Sequence, residues 1–597
     1  MVWIKDRTAA EYNRLYDTAR GATKVLYSNV TNQEGTEPTS LTSFNSDGFT
    51  LGSVQYVNRL NDKLVSWTFK KQPRFFDMVK YTGNGVAGRE IAHELGCDVG
   101  MMIVKRTDVG ESWYVYHTSL GETKKIYLHL TNAAIVDSSP WNNTAPTDAV
   151  FALGGDSATN ILNGEYIAYL YAHDPLGASG DGSDSMIQCG SYVGNGTSQE
   201  IDLGWEPQYI LVKDSTVVRD WIVHDTMRGW GADGVDHKWL EPNTSDAEAP
   251  TIGAWLAVQP TGFKAVNAQS RVNASGSTYI YMAIRRPMKT PLSSDEVFAI
   301  DTFGSTADGK APAYRSGFPV DMSIRTGTTG AHIPIQSRLT GTGYMFTDST
   351  TYETTTATWL FDYMNGWRNS TSIVATDYSW MFKRAKGFFD VVAYTGSNTN
   401  STFNHNLASI PEMMFVKCRT DGATNRHWGV YHKDFTGILY LDESWLGNTS
   451  TGFFPSPPTD TEFYVGAGWS VVNELGNDWI AYLFTTLAGI SKVGSYTGNG
   501  TSQTIDCGFS TGVKFLLLKR TDGVGNWMMW DSVRGIVDGI DPYLLLNTTD
   551  AEASTGDYVD QVSPAQNGFT LTPSGNWLYG PNYDTAEYIY YAIANPI

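Results

Sequence analysis

The sequence predicts an all-β chain: a tandem array of about six antiparallel, jelly-roll-like β-sandwiches in which a three-domain block is written twice. Three observations predict it. The same words recur: GSYVGNGTSQEIDLG (190–204) and GSYTGNGTSQTIDCG (494–508), with YTGNG at 81–85 and YTG at 394–396, each running on into an apolar strand such as MMIVKR or KFLLLKR. Aromatic and β-branched residues alternate in short runs of the half-buried strand type, and turn residues separate them every 8 to 12 positions or so. Composition agrees, with 13% aromatic residues, 17% charged residues and 59 glycines among 597 residues.

Using the words as rulers, we place the units at 1–73, 75–178, 187–287, 297–385, 388–487 and 493–597. The closing strand of each is its clearest feature: KLVSWTF (63–69), YIAYLYA (166–172), YIYMAI (279–284), WMFKR (380–384), WIAYLF (479–484) and YIYYAI (588–593). Units one, three and six carry an Asp-x-x-Arg-Gly word at Asp17, Asp225 and Asp531, followed by the Asn-rich turns SNVTNQE, PNTSDAE and LNTTDAE. Units two and five carry Tyr116-His117 and Tyr431-His432 with proline-rich turns instead, and unit four, the most drifted, keeps SGFPVDM and SRLTG. Near-identical linkers, FKKQPRFFD (69–77) and FKRAKGFFD (382–390), mark the doubling. They are short, so packed neighbours are expected rather than beads on a flexible string.

Unit one begins with MVWIKDR, the word that elsewhere follows a leader. One strand or hairpin is therefore missing there, and the sandwich is expected to have an open edge. Two explanations remain open: the chain is a fragment of a longer array, or a neighbouring chain supplies the strand by β-augmentation.

The charge and motif census excludes several function classes. The formal net charge of −20, without a basic block, argues against nucleic acid and anionic membranes as partners. No apolar window long enough to cross a bilayer and no secretory-type leader stands out, so no membrane insertion is expected. Cys97, Cys189, Cys418 and Cys507 fall at unlike places in the repeat and form no CxxC pair, which reads as four buried thiols. No metal and no cofactor is expected.

The words YTGNG, IVKRTD, WDSVRG, LNTTDAE, NSDGFTLGS and YIYYAIA resemble the repeated domains of large virion proteins of marine bacteriophages, described as concanavalin A-like lectin/glucanase sandwiches. The resemblance spans nearly the whole chain, most weakly in unit four. It implies a non-enzymatic virion structural protein, in a tail fibre or other surface appendage, that forms homo-oligomers, meets other virion proteins and contacts host surface glycan. Two alternatives stand beside it: a secreted or surface polysaccharide-binding module, and a glycoside hydrolase of the concanavalin A-like class.

Glu200 and Glu206 share a parity that would put two carboxylates on one strand face, as retaining glycosidases require, but unit six has TIDCGFS at the same place and no glutamate. Asp-x-x-Arg-Gly, occurring three times, reads as fold punctuation before it reads as an anion site. His117, His432 and His224 have no Gly-x-Ser-x-Gly elbow or convergent ligands near them in sequence, so no catalytic residue is expected. The GNG turns read as hairpin chemistry. The better binding argument rests on rings that stack on pyranose faces, with Trp141, Trp230, Trp239, Trp445 and Trp527 as glycan-binding candidates because they lie in or beside loop-like stretches.

Overall fold

In the computed structural model, residues 1–232, 237–250, 253, 255–302, 312–356, 359–368, 377–420, 426–553, 561–572 and 580–597 are described. Almost all of the regular structure is antiparallel strand. The only α-helices among the described residues are single turns such as Gln55–Asn58, Ser157–Asn160 and Ser270–Asn273. None is long and apolar enough to cross a membrane.

One strand order recurs down the chain. A leading strand (Phe76–Thr82, Ile187–Val193, Phe298–Thr302, Phe389–Thr395, Ser491–Thr497) pairs with the closing strand of the same repeat (Glu165–Ala172, Thr278–Arg285, Asp377–Phe382, Asp478–Phe484, Glu587–Ala594). The closing strand then pairs with a central strand (Val99–Arg106, Pro207–Asp214, Met322–Gly327, Met413–Cys418, Val513–Arg520), and the sheet continues outward. A smaller separate sheet completes each repeat, such as Gln199–Asp202 beside Gly262–Ala265 and Leu256–Gln259. The closing strands are buried along nearly their whole length, which is why they read as continuous apolar runs.

The Tyr-x-Gly-Asn-Gly turn differs from its expectation. It joins no two strands of one sheet: it carries the chain from the leading strand in the larger sheet to a strand of the smaller one, as from Ser491–Thr497 to Gln503–Asp506. Its first glycine is required by close approach, because a Cβ on Gly498 would sit on the carbonyl oxygen of Tyr583, and one on Gly83 on that of Ile161.

The chain divides into two compact units, residues 1–287 and 288–597, each holding three copies of the strand order. Within a unit the three copies close into a ring. In the first, Glu34 N donates to Thr107 O at 2.9 Å, Ala134 N to Ser215 O at 2.9 Å and Glu248 N to Arg7 O at 3.0 Å, so the first repeat meets the second, the second the third, and the third the first. The second unit repeats the scheme through Glu353 N to Arg419 O, Gly525 N to Ser444 O and Glu552 N to Thr328 O. An open string of sandwiches is therefore not what the packed linkers make.

The cores follow the rings. In residues 1–287 one buried cluster runs from Trp3 and Leu26 through Ile103 and Tyr169 to Tyr209 and Met282, crossing all three repeats. In residues 288–597 each repeat keeps its own cluster. Aromatic contacts bridge them, with Phe298 5.4 Å from Phe515, Phe382 6.1 Å from Phe484 and Phe484 5.0 Å from Tyr591.

Candidate functional site

The residues that recur turn out to build the joints of the rings. Each central strand except that of the fourth repeat carries a lysine in its apolar run, Lys5, Lys105, Lys213, Lys417 and Lys519, and all five are fully buried. Each ammonium donates to backbone carbonyls, one of them in the neighbouring repeat: Lys5 to Ser245, Lys105 to Thr31, Lys213 to Thr131, Lys417 to Ser349 and Lys519 to Trp445. Loss of water pushes the first four down to about 8 and Lys519 to about 7. A tryptophan on the adjacent strand adds a second tie: Trp113 Nε1 to Tyr27 O at 3.0 Å, Trp221 to Tyr127 O, Trp428 to Phe346 O and Trp527 to Tyr440 O, each at 2.8 Å. In the first repeat Asn13 takes this part, its amide donating to carbonyls of Pro242 and Thr244.

The Asp-x-x-Arg-Gly words are also joint parts. Arg20, Arg228 and Arg534 pair with Asp17, Asp225 and Asp531 at 2.5, 2.6 and 2.6 Å, nearly without exposure. The same carboxylates accept from a ring of the next repeat: Tyr169 O–H on Asp17, Trp67 Nε1 on Asp225 and Trp380 Nε1 on Asp531. The word's glycine takes φ of +99°, +96° and +141° at Gly21, Gly229 and Gly535, which lets the chain reverse.

The sequence candidates fall differently. Trp141, Trp230 and Trp527 are buried, with indole N–H groups bonded to the carbonyls of Lys124, Leu256 and Tyr440, so they offer no ring face to a ligand. Trp239 is half-buried, its centroid 5.2 Å from that of Trp255 and covered by Arg271. Trp445 is 51% exposed. Glu200 lies exposed on Gln199–Asp202 of the smaller sheet, while Glu206 is buried beyond that strand, so the two carboxylates share no strand face. His117, His224 and His432 are buried, and burial holds them neutral, His117 at about 4 and His432 at about 3. His117 Nε2 bonds the Tyr281 carbonyl at 3.0 Å, another tie between repeats. All four cysteines are free thiols; three are buried and Cys97 is half-buried.

What remains as a candidate binding spot surrounds Trp445. Its ring lies 5.5 Å from that of His427 and 6.1 Å from Tyr440, and Leu446 beside it is exposed. His427 Nδ1 is 2.8 Å from Asp442 Oδ2 and 3.8 Å from Glu443 Oε1. The Asp442 hydrogen bond raises the imidazole pKa, and burial raises that of Glu443. The three ligand atoms lie within 4.8 Å of one another, a spacing compatible with a divalent cation.

The neighbouring repeats give this trio a plainer role. Asp442 Oδ1 accepts from Trp428 N, as Asn243 does from Trp221 N and Asn547 from Trp527 N, and those amides donate in turn to Asp220 and Asn526. The Asn-rich turns are thus joint locks, and His427–Asp442 is the fifth repeat's version of the lock. Sequence reasoning missed the lysines and the locks, though a lysine at one register in five apolar strands was the available signal.

A family model described as a domain of unknown function, DUF7483, matches residues 1–287 and 332–596. No curated protein matches the chain.

Proposed function

The chain belongs to the DUF7483 family, and from that premise and the ring geometry we propose that it is a non-enzymatic structural protein of a bacteriophage virion. Its place is a tail fibre or other surface appendage, and it touches host-surface glycan through Trp445. The observation that carries this reading is that the recurring polar words are used up in joints. Buried lysines, Asp–Arg pairs and indole ties all hold sandwiches to one another, and the paired carboxylates of a glycosidase are not assembled at Glu200 and Glu206. A unit whose three repeats close on one another suits an assembly built on symmetry, where homo-oligomers and other virion proteins would be its partners.

Trp445 supports the glycan contact because its exposed indole gives a stacking surface beside the partly exposed His427 and Glu443. The same observation favours a second reading, a surface polysaccharide-binding module outside any virion. Immunogold labelling of purified particles separates the two: label on an appendage supports the first, and glycan-array binding with unlabelled particles supports the second. In either setting Trp445→Ala is expected to weaken glycan binding at least tenfold with an unchanged denaturation midpoint. Full binding by that variant removes Trp445 from the reading.

A further inference from the structure

The fifth repeat carries a carboxylate that its lock does not use. Along the chain the lock positions are Asn29, His129, Asn243, Asp348, Asp442 and Asn547, whose side chains accept from the backbone N–H of Asn13, Trp113, Trp221, Ile333, Trp428 and Trp527. The residue that follows the lock is Val30, Leu130, Thr244, Ser349, Glu443 or Thr548. Five repeats thus fill that place with an apolar or hydroxyl side chain, and only the fifth puts a second carboxylate there. Among the described residues the one ion-pair partner of Glu443 is His427, at 3.8 Å.

Strand pairing brings the trio together. Gly429–His432 and Phe435–Tyr440 run antiparallel with Gly429 opposite Tyr440, so the same register carried two residues further sets His427 opposite Asp442, with Glu443 next in the chain. His427 Nδ1 lies 2.8 Å from Asp442 Oδ2 and 3.8 Å from Glu443 Oε1, and the three atoms fall within 4.8 Å of one another. Ligand atoms about 2.1 Å from a tetrahedral zinc stand roughly 3.3–3.5 Å apart, so the two measured separations straddle the edge of such a site. Asp442 is already oriented, because Trp428 N holds its other oxygen at 2.9 Å, an outer hydrogen bond of the kind that aims a metal ligand. The His427 and Glu443 side chains are 29% and 28% exposed, and Trp445 and Leu446 beside them are exposed, so a fourth position opens to solvent. The fourth repeat shows the lock without the third group: His332 Nδ1 and Asp348 Oδ2 pair at 2.6 Å, Asp348 Oδ1 accepts from Ile333 N at 3.0 Å, and Ser349 stands where Glu443 does.

We propose that His427 Nδ1, Asp442 Oδ2 and Glu443 Oε1 form a binding site for a transition-metal dication of the zinc class, with water as the fourth ligand. The site does not depend on the glycan contact of Trp445. One imidazole with two carboxylates suits zinc, whereas calcium takes about six to eight oxygens and finds too few here. Loading exchanges a proton for the ion: the proton that Nδ1 shares with Asp442 Oδ2 leaves to solvent, the ring keeps a proton on Nε2, and the Nδ1 lone pair goes to the metal. Trp428 N stays on Asp442 Oδ1, so the ion closes the lock instead of displacing it. Tyr440 O accepts from Trp527 Nε1 and Trp445 O from Lys519 of the sixth repeat, which puts the metal on the turn that joins the fifth repeat to the sixth.

The test uses the full chain, dialysed against a chelator, with Zn2+ in calorimetry and Co2+ as the spectroscopic probe. Saturable binding of one ion is expected, with the intense visible bands of four-coordinate Co2+ and a urea midpoint raised by Zn2+. Glu443→Gln should weaken binding at least tenfold and abolish the Zn2+ effect on the midpoint, while the metal-free midpoint stays unchanged, because Glu443 is partly exposed and lies outside the lock. His427→Gln, which keeps an amide donor for Asp442 Oδ2, should weaken binding as much. A lock with no metal role would leave both variants indifferent to Zn2+ and equal to the parent chain. Absence of saturable binding, binding that survives Glu443→Gln or falls instead with Cys97→Ser, or preference for Ca2+ over Zn2+ overturns the proposal.

Discussion

The first and sixth repeats carry the same words and end differently. Both have the Asp–Arg pair, the Asn-rich lock and an asparagine in the turn before the closing strand, yet Asn582 is buried on the turn that it clasps and Asn58 is exposed. Both are fully built into their rings. The difference teaches that the repeat holds two independent devices: a joint that fixes a repeat to its neighbours, and a socket that fixes a leading strand to its own sandwich.

The largest effect should come from breaking the joint. Trp527→Ala removes a buried indole and its tie to Tyr440 O, and a loss of about 3–5 kcal/mol is expected from large-to-small core substitutions. Urea denaturation followed by tryptophan fluorescence reads it. Asn13, which does the same work in the first repeat with a much smaller side chain, should cost less on replacement by alanine, about 1–3 kcal/mol for the carbonyls it leaves unbonded. Equal losses at the two positions would mean that the joint gains nothing from the indole.

The lysine ties make the joint answer to pH. Their pKa values are depressed in the fold from 10.5 to about 8, or about 7 for Lys519. Between roughly pH 8 and the unfolded lysine value the unfolded chain therefore binds more protons, and stability rises with pH there. Buried tyrosines such as Tyr169, Tyr482 and Tyr591 are displaced upward, so their contribution is present below pH 10 and is lost above it. A denaturation midpoint that climbs from pH 8 to about 9.5 and falls beyond 10 is the expected profile. At the acid end the depressed His117 and His432 give stability that fades as pH falls from 6.5 toward 4. A flat profile from pH 8 to 9.5 would show that the five ammoniums are not desolvated.

Much of the fold could be read from the sequence because a strand's burial leaves a local pattern. YIAYLYA and YIYYAI announce strands by their aromatic and β-branched residues, although the half-burial read from their alternation becomes burial along nearly the whole strand in the fold. Ring closure leaves no such trace, since it depends on which turn a lysine reaches several dozen residues away. The tryptophans were misleading for a related reason: Trp141 and Trp527 adjoin turn-like sequence, but those turns fold back over the core or into a neighbour, and an indole beside a polar stretch is then buried by another element. Trp445 escapes because it sits in a turn whose backbone carbonyl, and not its ring, is taken by Lys519.

The smallest effect separates socket from joint most cleanly. Asn582→Ala strips a buried clasp from Asn499 N and Thr501 O and should cost about 1–3 kcal/mol, the penalty of buried polar groups left unpaired. Asn58→Ala changes an exposed side chain with one local bond, and a change within about 0.5 kcal/mol is expected. Equal losses at the two positions would mean that the clasp contributes nothing where it is buried. Urea denaturation of the pair of variants thus gives the clasp's contribution as the difference between two alanine substitutions at one structural position.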